Sequence, residues 1–284
     1  MDSRRVLFSG HSMGGHGALM AAVQISQRAL GVASVSGWLC KETYGESNFL
    51  FEQSPNDLSS SHIEPALRAV LHAAIAENSI EMHLSNLAGL PCLLRVGAED
   101  QTVPPFWAKR AMRLVQAGGG GGGKLSELAG KQHWWWDTAR ENDGGAMNDE
   151  EMRTFFASAR GEWRSCVACL MWHGCGMSDG ARASPAARAA ELPEWPSSFS
   201  LRAFNPASFE GRAGWRLLQA HSPGRLLQLR GWRSRDTLHL QTRNLRRFHA
   251  PPEGLLTSGV VIDGQPLSPG VLEAAASANA SGMN

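Results

Sequence analysis

Short apolar runs alternate with longer helical stretches over the first half of the chain. The run Val6-Leu7-Phe8 is continuous rather than alternating, which is typical of a strand buried on both faces of a parallel sheet. The apolar stretch from Met13 to about Gln27 predicts a helix packed against that sheet. A buried strand over Pro91–Gly97, a helix over Phe106–Gln116 and a short strand over Leu125–Leu128 follow. This order predicts an α/β fold, with a parallel sheet and flanking helices.

The pattern changes near residue 197. Short segments, some of them alternating between apolar and polar residues, are separated there by Gly, Pro and Asn, which predicts a small β-rich module. The run Gly118–Gly123 predicts a flexible surface insertion. The domain boundaries that we predict are 1–163 for the α/β part, 164–196 for an insert and linker, 197–270 for the β-rich module and 271–284 for a disordered tail.

Composition narrows the classes of function. A formal net charge of +1 over 284 residues predicts no global attraction to nucleic acid or to an anionic membrane. The sequence shows neither an apolar stretch of bilayer length nor a signal-peptide pattern, so we expect a cytoplasmic protein that binds no membrane and no nucleic acid. The five cysteines form no regular framework, which indicates reduced thiols.

Four residues are candidates for a metal site: Cys166, Cys169, His173 and Cys175. They all fall within ten residues, whereas structural zinc sites usually draw two ligand pairs from separate turns with a longer gap between them. A helix extension or insert that holds free thiols fits this spacing better. We therefore expect no metal site and no cofactor.

The segment Gly10-His11-Ser12-Met13-Gly14-Gly15 directly follows the first strand and matches the pattern G-x-S-x-G. In this nucleophile elbow the serine occupies a strained turn between a strand and a helix, and the residues two positions away on each side must lack bulk. Gly10 and Gly14 meet that requirement, so the pattern predicts Ser12 as a nucleophile. The alternative is a plain Gly/Ser turn ahead of a core helix.

A nucleophilic serine needs a base and a carboxylate that orients it, in the chain order Ser, Asp or Glu, His. Asp100 lies just past the strand that ends at Gly97, where parallel sheets collect functional groups. Glu99 competes with it, and an acidic loop or helix cap is the structural alternative. His133 follows a strand, lies beyond the acid and precedes a helix, so it is the predicted base; a structural histidine is the alternative.

Three segments together resemble the catalytic domain of α/β-hydrolases of the prolyl-oligopeptidase type, the peptidase S9-like enzymes. They are Gly10–Ala18, Arg95–Pro105 and Gly130–Thr138, which includes a tryptophan run after the histidine. The resemblance covers roughly residues 4 to 160. It implies a partial α/β-hydrolase parallel sheet with flanking helices, the C-terminal part of a larger multidomain protein. It also implies a serine hydrolase that acts on peptides or esters through an acyl-enzyme.

The resemblance assigns roles to individual residues. It implies that Ser12 is the nucleophile, Asp100 the acid and His133 the base, with the backbone N–H of Met13 as one oxyanion donor. His11 and Trp134 are candidates for the pocket wall. For the tryptophans after His133 we expect hydrophobic anchoring of the loop, with one indole reaching the pocket.

Only one short strand precedes the elbow, whereas the resemblance implies several. The elbow strand would then be an apolar edge, which is a poor platform for a strained turn. We expect that an upstream part of the protein or another chain completes the sheet. The alternative function is that of a truncated, catalytically impaired remnant acting as a binding or structural module.

Overall fold

The computed structural model describes residues 5–40, 64–118, 122–135, 145–160, 198–251 and 259–268. The predicted insert and linker, the predicted tail, and all four candidate metal ligands lie outside these residues. So does Trp136, the last residue of the tryptophan run.

The α/β part is a parallel sheet with helices, as predicted. Its elements are β1 (Val6–His11), α1 (Met13–Gln24), β2 (Ala29–Val35), α2 (Pro65–Glu77), β3 (Cys92–Gly97), α3 (Phe106–Ala117), β4 (Gly123–Leu128) and α4 (150–160). The strands pair in the order β1-β2-β3-β4, and every pair is parallel. The carboxyl ends of all four strands therefore meet at one edge of the sheet.

The structure differs from the sequence prediction for this part in three ways. The strand β2 was not predicted, because its sequence consists largely of small residues. Helix α1 ends at Gln24 rather than near Gln27. The predicted insertion Gly118–Gly123 ends inside the sheet, since Gly123 opens β4 and pairs with Cys92. A Cβ at Gly123 would lie 2.8 Å from Met112 Sδ, so the missing side chain lets α3 pack closely on β4.

Both faces of the central strands are buried. One face packs against α1 and α3 through a cluster that includes Leu19, Val23, Val32, Leu94, Val96 and Val115. The opposite face packs against the segment 145–160 through Ala33, Val35, Leu93, Trp135, Ala146 and Met152. Because alternate residues of a strand point to opposite faces, β2 and β3 supply residues to both clusters.

A buried arginine ties the sheet to α4. Arg95 on β3 is almost fully buried and forms a two-pronged ion pair with Asp149, with a further ion pair to Glu151 at 3.1 Å. It also donates a hydrogen bond to the carbonyl oxygen of Ala146 at 2.8 Å. Removing a charge from water is costly unless it is paired, so these contacts fix the segment 145–160 on the sheet.

The β-rich part consists of short strands, as predicted, and it has its own core. Its strands are β5 (Ser198–Ala203), β6 (Arg216–Ala220), β7 (Leu227–Ser234), β8 (Thr237–Arg243), β9 (Leu245–His249), β10 (Gly259–Ile262) and β11 (Gln265–Pro266). Five of them form a sheet in the order β11-β10-β8-β7-β5, and β6 pairs with β9. The inward residues are mostly Leu, with Phe199 and Trp215 among them.

One asparagine side chain joins the two parts. Asn86 is buried in the segment Leu84–Leu87, and its amide nitrogen donates to the carbonyl oxygens of Val23 (3.1 Å) and Arg202 (2.8 Å). Its side-chain oxygen accepts a hydrogen bond from Arg202 N at 2.8 Å. The amide thus hydrogen-bonds to the free edge of β5 as a neighbouring strand would.

Candidate active site

The backbone of Ser12 is strained at the turn between β1 and α1. Its φ is 57° and its ψ is −119°, a region that a residue with a side chain rarely adopts. A hydrogen bond from Ser12 N to Val35 O at 2.9 Å anchors the turn to β2. Such strain persists only where surrounding structure enforces it, and it holds the hydroxyl at the carboxyl edge of the sheet.

The glycines around the serine have unequal roles. A Cβ at Gly10 would lie 2.1 Å from Gly14 O, so this position admits no side chain. A Cβ at Gly14 would meet nothing within 4 Å, so the prediction that both positions must lack bulk is wrong for Gly14. Gly15 has the second tight approach, with Val35 O at 2.8 Å from the position of a Cβ. Of these three glycines, Gly10 and Gly15 are therefore the ones whose surroundings leave no room for a side chain.

The structure separates the two acidic candidates after β3. Asp100 is only 2% exposed, and its Oδ1 accepts hydrogen bonds from Thr102 N (2.9 Å) and Val103 N (2.8 Å). Its other oxygen, Oδ2, lies 2.9 Å from His133 Nδ1. Glu99 is exposed to solvent. Of the two residues, Asp100 is therefore the one whose carboxylate meets the histidine.

The imidazole of His133 lies between the carboxylate and the serine. Its Nδ1 faces Asp100 Oδ2, and its Nε2 lies 3.0 Å from Ser12 Oγ. Because a carboxylate only accepts, the proton of a neutral imidazole belongs on Nδ1, which leaves Nε2 free to accept the serine hydroxyl proton. The three residues thus form a continuous hydrogen-bonded line although Ser12 and His133 are 121 positions apart.

The loop that carries His133 rests against the end of β3. A Cβ at Gly97 would lie 2.3 Å from Lys131 O and 2.5 Å from Gln132 O. The amide of Glu99 donates to Lys131 O at 2.9 Å, which binds the same loop to the acidic turn. Sequence reasoning missed the role of Gly97; the available signal was a glycine at the end of a buried strand, immediately before the predicted acid.

His11 lies beside His133. Its Nε2 donates a hydrogen bond to the carbonyl oxygen of His133 at 2.8 Å, and the two ring centroids are 4.8 Å apart. Burial lowers the pKa of His11, while the hydrogen bond to the His133 carbonyl acts in the opposite direction. The neutral ring that burial favours can still donate from Nε2, so His11 links the turn at Ser12 to the loop that carries His133.

The two described tryptophans of the run differ in exposure. Trp135 is buried in the core beneath the loop, which fits the expected hydrophobic anchoring. Trp134 is 60% exposed, and its ring lies edge-on to His133 at a centroid distance of 5.3 Å. It also packs on His11 at 4.5 Å. Trp134 is thus an apolar surface next to the histidine.

Met13 is the first residue of α1. The first N–H groups of a helix have no acceptor within the helix and carry its positive dipole end, so the amide of Met13 is available for an anion beside Ser12. Its side chain is 75% exposed. This arrangement can stabilise negative charge that develops next to the serine hydroxyl.

Other chemistries find less support in the residues that the structure describes. No cluster of three or more His, Cys, Asp or Glu side chains suited to a metal ion occurs among them. None of the described helices has the length and apolar character needed to cross a membrane. Burial raises the pKa of the Cys92 thiol to about 12, so it is a poor nucleophile at neutral pH.

Comparison with known proteins gives solved structures only. No protein-family model and no curated protein matches the chain. An acylaminoacyl peptidase from Pyrococcus horikoshii is 16% identical, with a TM-score of 0.35 over 46% of this chain and 20% of its own. A monoacylglycerol lipase from Paleococcus ferrophilus is 19% identical, with a TM-score of 0.34 over 56% of this chain and 67% of its own.

A third solved structure, dipeptidyl peptidase 4 from Porphyromonas gingivalis, is 15% identical, with a TM-score of 0.38 over 56% of this chain and 19% of its own. The chain thus spans about a fifth of the length of the two peptidases. At these identities and TM-scores, the α/β classification rests on the strand order and flanking helices of this chain itself.

Proposed function

We propose that this chain is part of a serine hydrolase of the prolyl-oligopeptidase-like α/β type, which cleaves peptides or esters through an acyl-enzyme. The observation that carries the proposal is the hydrogen-bonded line from Ser12 Oγ through His133 to Asp100, with distances of 3.0 Å and 2.9 Å. The strained backbone of Ser12 adds independent support, because such strain is typical of a nucleophile elbow.

In the first step, Nε2 of His133 takes the hydroxyl proton of Ser12 while Oγ attacks the carbonyl carbon of the substrate. The carbonyl oxygen becomes an oxyanion beside the amide of Met13. Collapse of this intermediate breaks the bond to the leaving amine or alcohol, which receives the proton from His133. An acyl-serine remains.

In the second step, a water molecule gives a proton to His133 and attacks the acyl-serine. The resulting intermediate releases the acid product, and His133 returns the proton to Ser12. Throughout the cycle, the carboxylate of Asp100 holds the imidazole in the required tautomer and stabilises its charged form. The two backbone amides that bind Oδ1 fix the direction of that carboxylate.

A second candidate function, an impaired remnant that serves as a binding module, rests on the edge of the sheet. Strand β1 pairs with β2 on one side, and no other described strand pairs with its opposite side. We propose that an upstream segment or another chain pairs there in the active enzyme. If nothing does, the elbow sits on an open edge, and catalysis would suffer.

A fluorophosphonate probe tests the proposal directly, since it reacts covalently with an activated serine. We expect labelling of folded protein at Ser12 and loss of labelling in Ser12→Ala and His133→Ala. Ser9→Ala is the matched control, because Ser9 is an exposed serine on the same strand. The enzyme hypothesis is wrong if folded protein stays unlabelled, both alone and with any upstream sequence attached. That result would favour the binding module.

Substrate class needs a separate measurement. A panel of activated esters and aminoacyl or peptidyl amides should be tested on every form of the protein that the probe labels. Turnover of amides would favour a peptidase, whereas turnover of esters alone would favour an esterase. In each case Ser12→Ala must abolish the activity for the result to concern this site.

A further inference from the structure

The outward face of the five-stranded sheet carries three arginines close together. The strand register places Arg202 of β5, Gln228 of β7 and Arg243 of β8 in one row. Arg230 lies two residues from Gln228 and therefore on the same face. It is the diagonal neighbour of both other arginines, a relation that corresponds to about 7–8 Å between residue positions on adjacent strands.

These guanidinium groups lack acidic partners in the part of the chain that the structure describes. Burial lowers the pKa of Arg202, and repulsion from Arg230 and Arg243 lowers it further. Arg202 Nε is buried without a hydrogen-bond partner. Asp263 directs its carboxylate to the amide and hydroxyl of Thr242, both at 2.7 Å. Folding thus concentrates positive charge on this face, which attracts an anion to it.

An aromatic pair borders the arginines. Trp232 follows Arg230 by two residues on the same strand, and its ring stacks on that of His239 at a centroid distance of 5.3 Å and an angle of 8°. The Trp232 side chain remains 38% exposed, so part of its surface is open to a further flat ring. Polar groups lie next to Arg230 in its row, because Ser200 and Gln241 are its direct neighbours.

We propose that this sheet face, defined by Arg202, Arg230, Arg243 and Trp232, binds single-stranded nucleic acid. The arginines would contact phosphates, and the indole of Trp232 would stack on a base. Guanidinium groups suit phosphate oxygens, and stacking on aromatic side chains tolerates any base because every base has a flat π-face. The net charge of +1 predicted no attraction for the chain as a whole; this proposal concerns one face.

Other occupants fit this face less well. An extended acidic peptide usually binds by pairing with a sheet edge, but Asn86 already occupies the edge of β5 at Arg202. The fully buried core of an interface with a folded protein is more apolar than this face, where the three arginines lie among Gln228 and Gln241. A duplex keeps its bases stacked on one another, so it could not use the indole. A flexible single strand uses both features together.

Fluorescence anisotropy with a labelled deoxythymidine oligomer tests the proposal on the whole chain. Between about 50 and 200 mM salt, three phosphate contacts predict a slope of about −2 for log K against log salt. We expect Arg230→Gln/Arg243→Gln to bring the slope to about −0.7. Trp232→Leu should weaken binding by about 5- to 150-fold. Circular dichroism and thermal melting check that each variant stays folded.

Arg246→Gln/Arg247→Gln is the matched control, because it removes the same charge from exposed positions of β9 in the other sheet. It should leave oligomer binding unchanged. The proposal is overturned if the parent chain shows no salt-dependent binding, if the control double variant loses as much affinity as the test variant, or if Trp232→Leu has no effect. Tighter binding of poly-glutamate or of duplex DNA would also overturn it. Ser12→Ala should bind normally, since this surface is independent of the proposed hydrolase activity.

Discussion

Replacing Gly97 by alanine should damage the proposed active site without unfolding the protein. The added Cβ would lie 2.3 Å from Lys131 O, whereas ordinary contact begins at 3.4 Å. The carbonyl must therefore retreat by about 1 Å. Because this atom belongs to backbone two residues before His133, the imidazole moves with it. A displacement of this size costs about 100-fold in the rate of a serine reaction that depends on alignment.

The rate of fluorophosphonate labelling of Ser12 measures this loss. Amide hydrogen exchange at Glu99 gives a readout that does not depend on reactivity, since its N–H donates to Lys131 O and should exchange faster in Gly97→Ala. Gly17→Ala is the matched control, because a Cβ there meets nothing within 4 Å. On a helix it should stabilise the fold by up to about 1 kcal/mol and leave labelling unchanged.

If folded Gly97→Ala labels at the rate of the parent and Glu99 exchanges at its original rate, then the loop absorbs the methyl group without moving His133. If the parent itself does not label, the exchange measurement still tests whether Gly97 positions the loop.

Three further predictions concern the site and the joint between the two parts. Asp100→Asn should fold but slow Ser12 labelling by about 10⁴-fold, since it favours the wrong tautomer of the base; labelling near the parental rate would contradict its role. Asn86→Ala leaves Arg202 N without a partner and Arg202 O with His83 Nδ1 alone, at 3.3 Å, and should lower the free energy of unfolding by about 2 kcal/mol in urea titrations; an unchanged midpoint would contradict this. Burial lowers the pKa of His83 below its ordinary value of 6.5, so the folded state binds fewer protons there than the unfolded state. Thermal stability should fall as the pH drops below about 6.5, and His83→Gln should flatten that dependence; an equally steep profile would rule His83 out as its source.

The sequence predicted the elements whose signal is local. Continuous apolar runs identify β1 and β3 as buried strands, and the glycines around Ser12 identify the turn. The chain order Ser, Asp, His then selected His133. Strand β2 escaped prediction because Ala, Gly and Ser dominate its sequence, and only its position between β1 and β3 makes it a strand. A strand made of small residues forms because its neighbours in the sheet offer pairing and packing, and its own sequence shows little of this.

Contacts between residues that are far apart along the chain could not be predicted from the sequence. Arg95 lies in an apolar run, and its partner Asp149 is 54 positions away, so nothing local marks it as half of a buried ion pair. The side chain of Asn86 donates a hydrogen bond to the carbonyl oxygen of Arg202, which lies 116 positions further along the chain. The choice between Glu99 and Asp100 depended on which side chain turns inward, and backbone direction at the end of a strand decides that.

The sequential strand order has a consequence for folding. Each strand of the parallel sheet pairs with the next one along the chain, so no strand has to insert between two strands that are already paired. Ser12, however, follows the first strand of this sheet, and His133 follows the last. Their hydrogen bond can form only after all four strands are in register, so the reactivity of Ser12 would report completion of the last folding step rather than mere compactness.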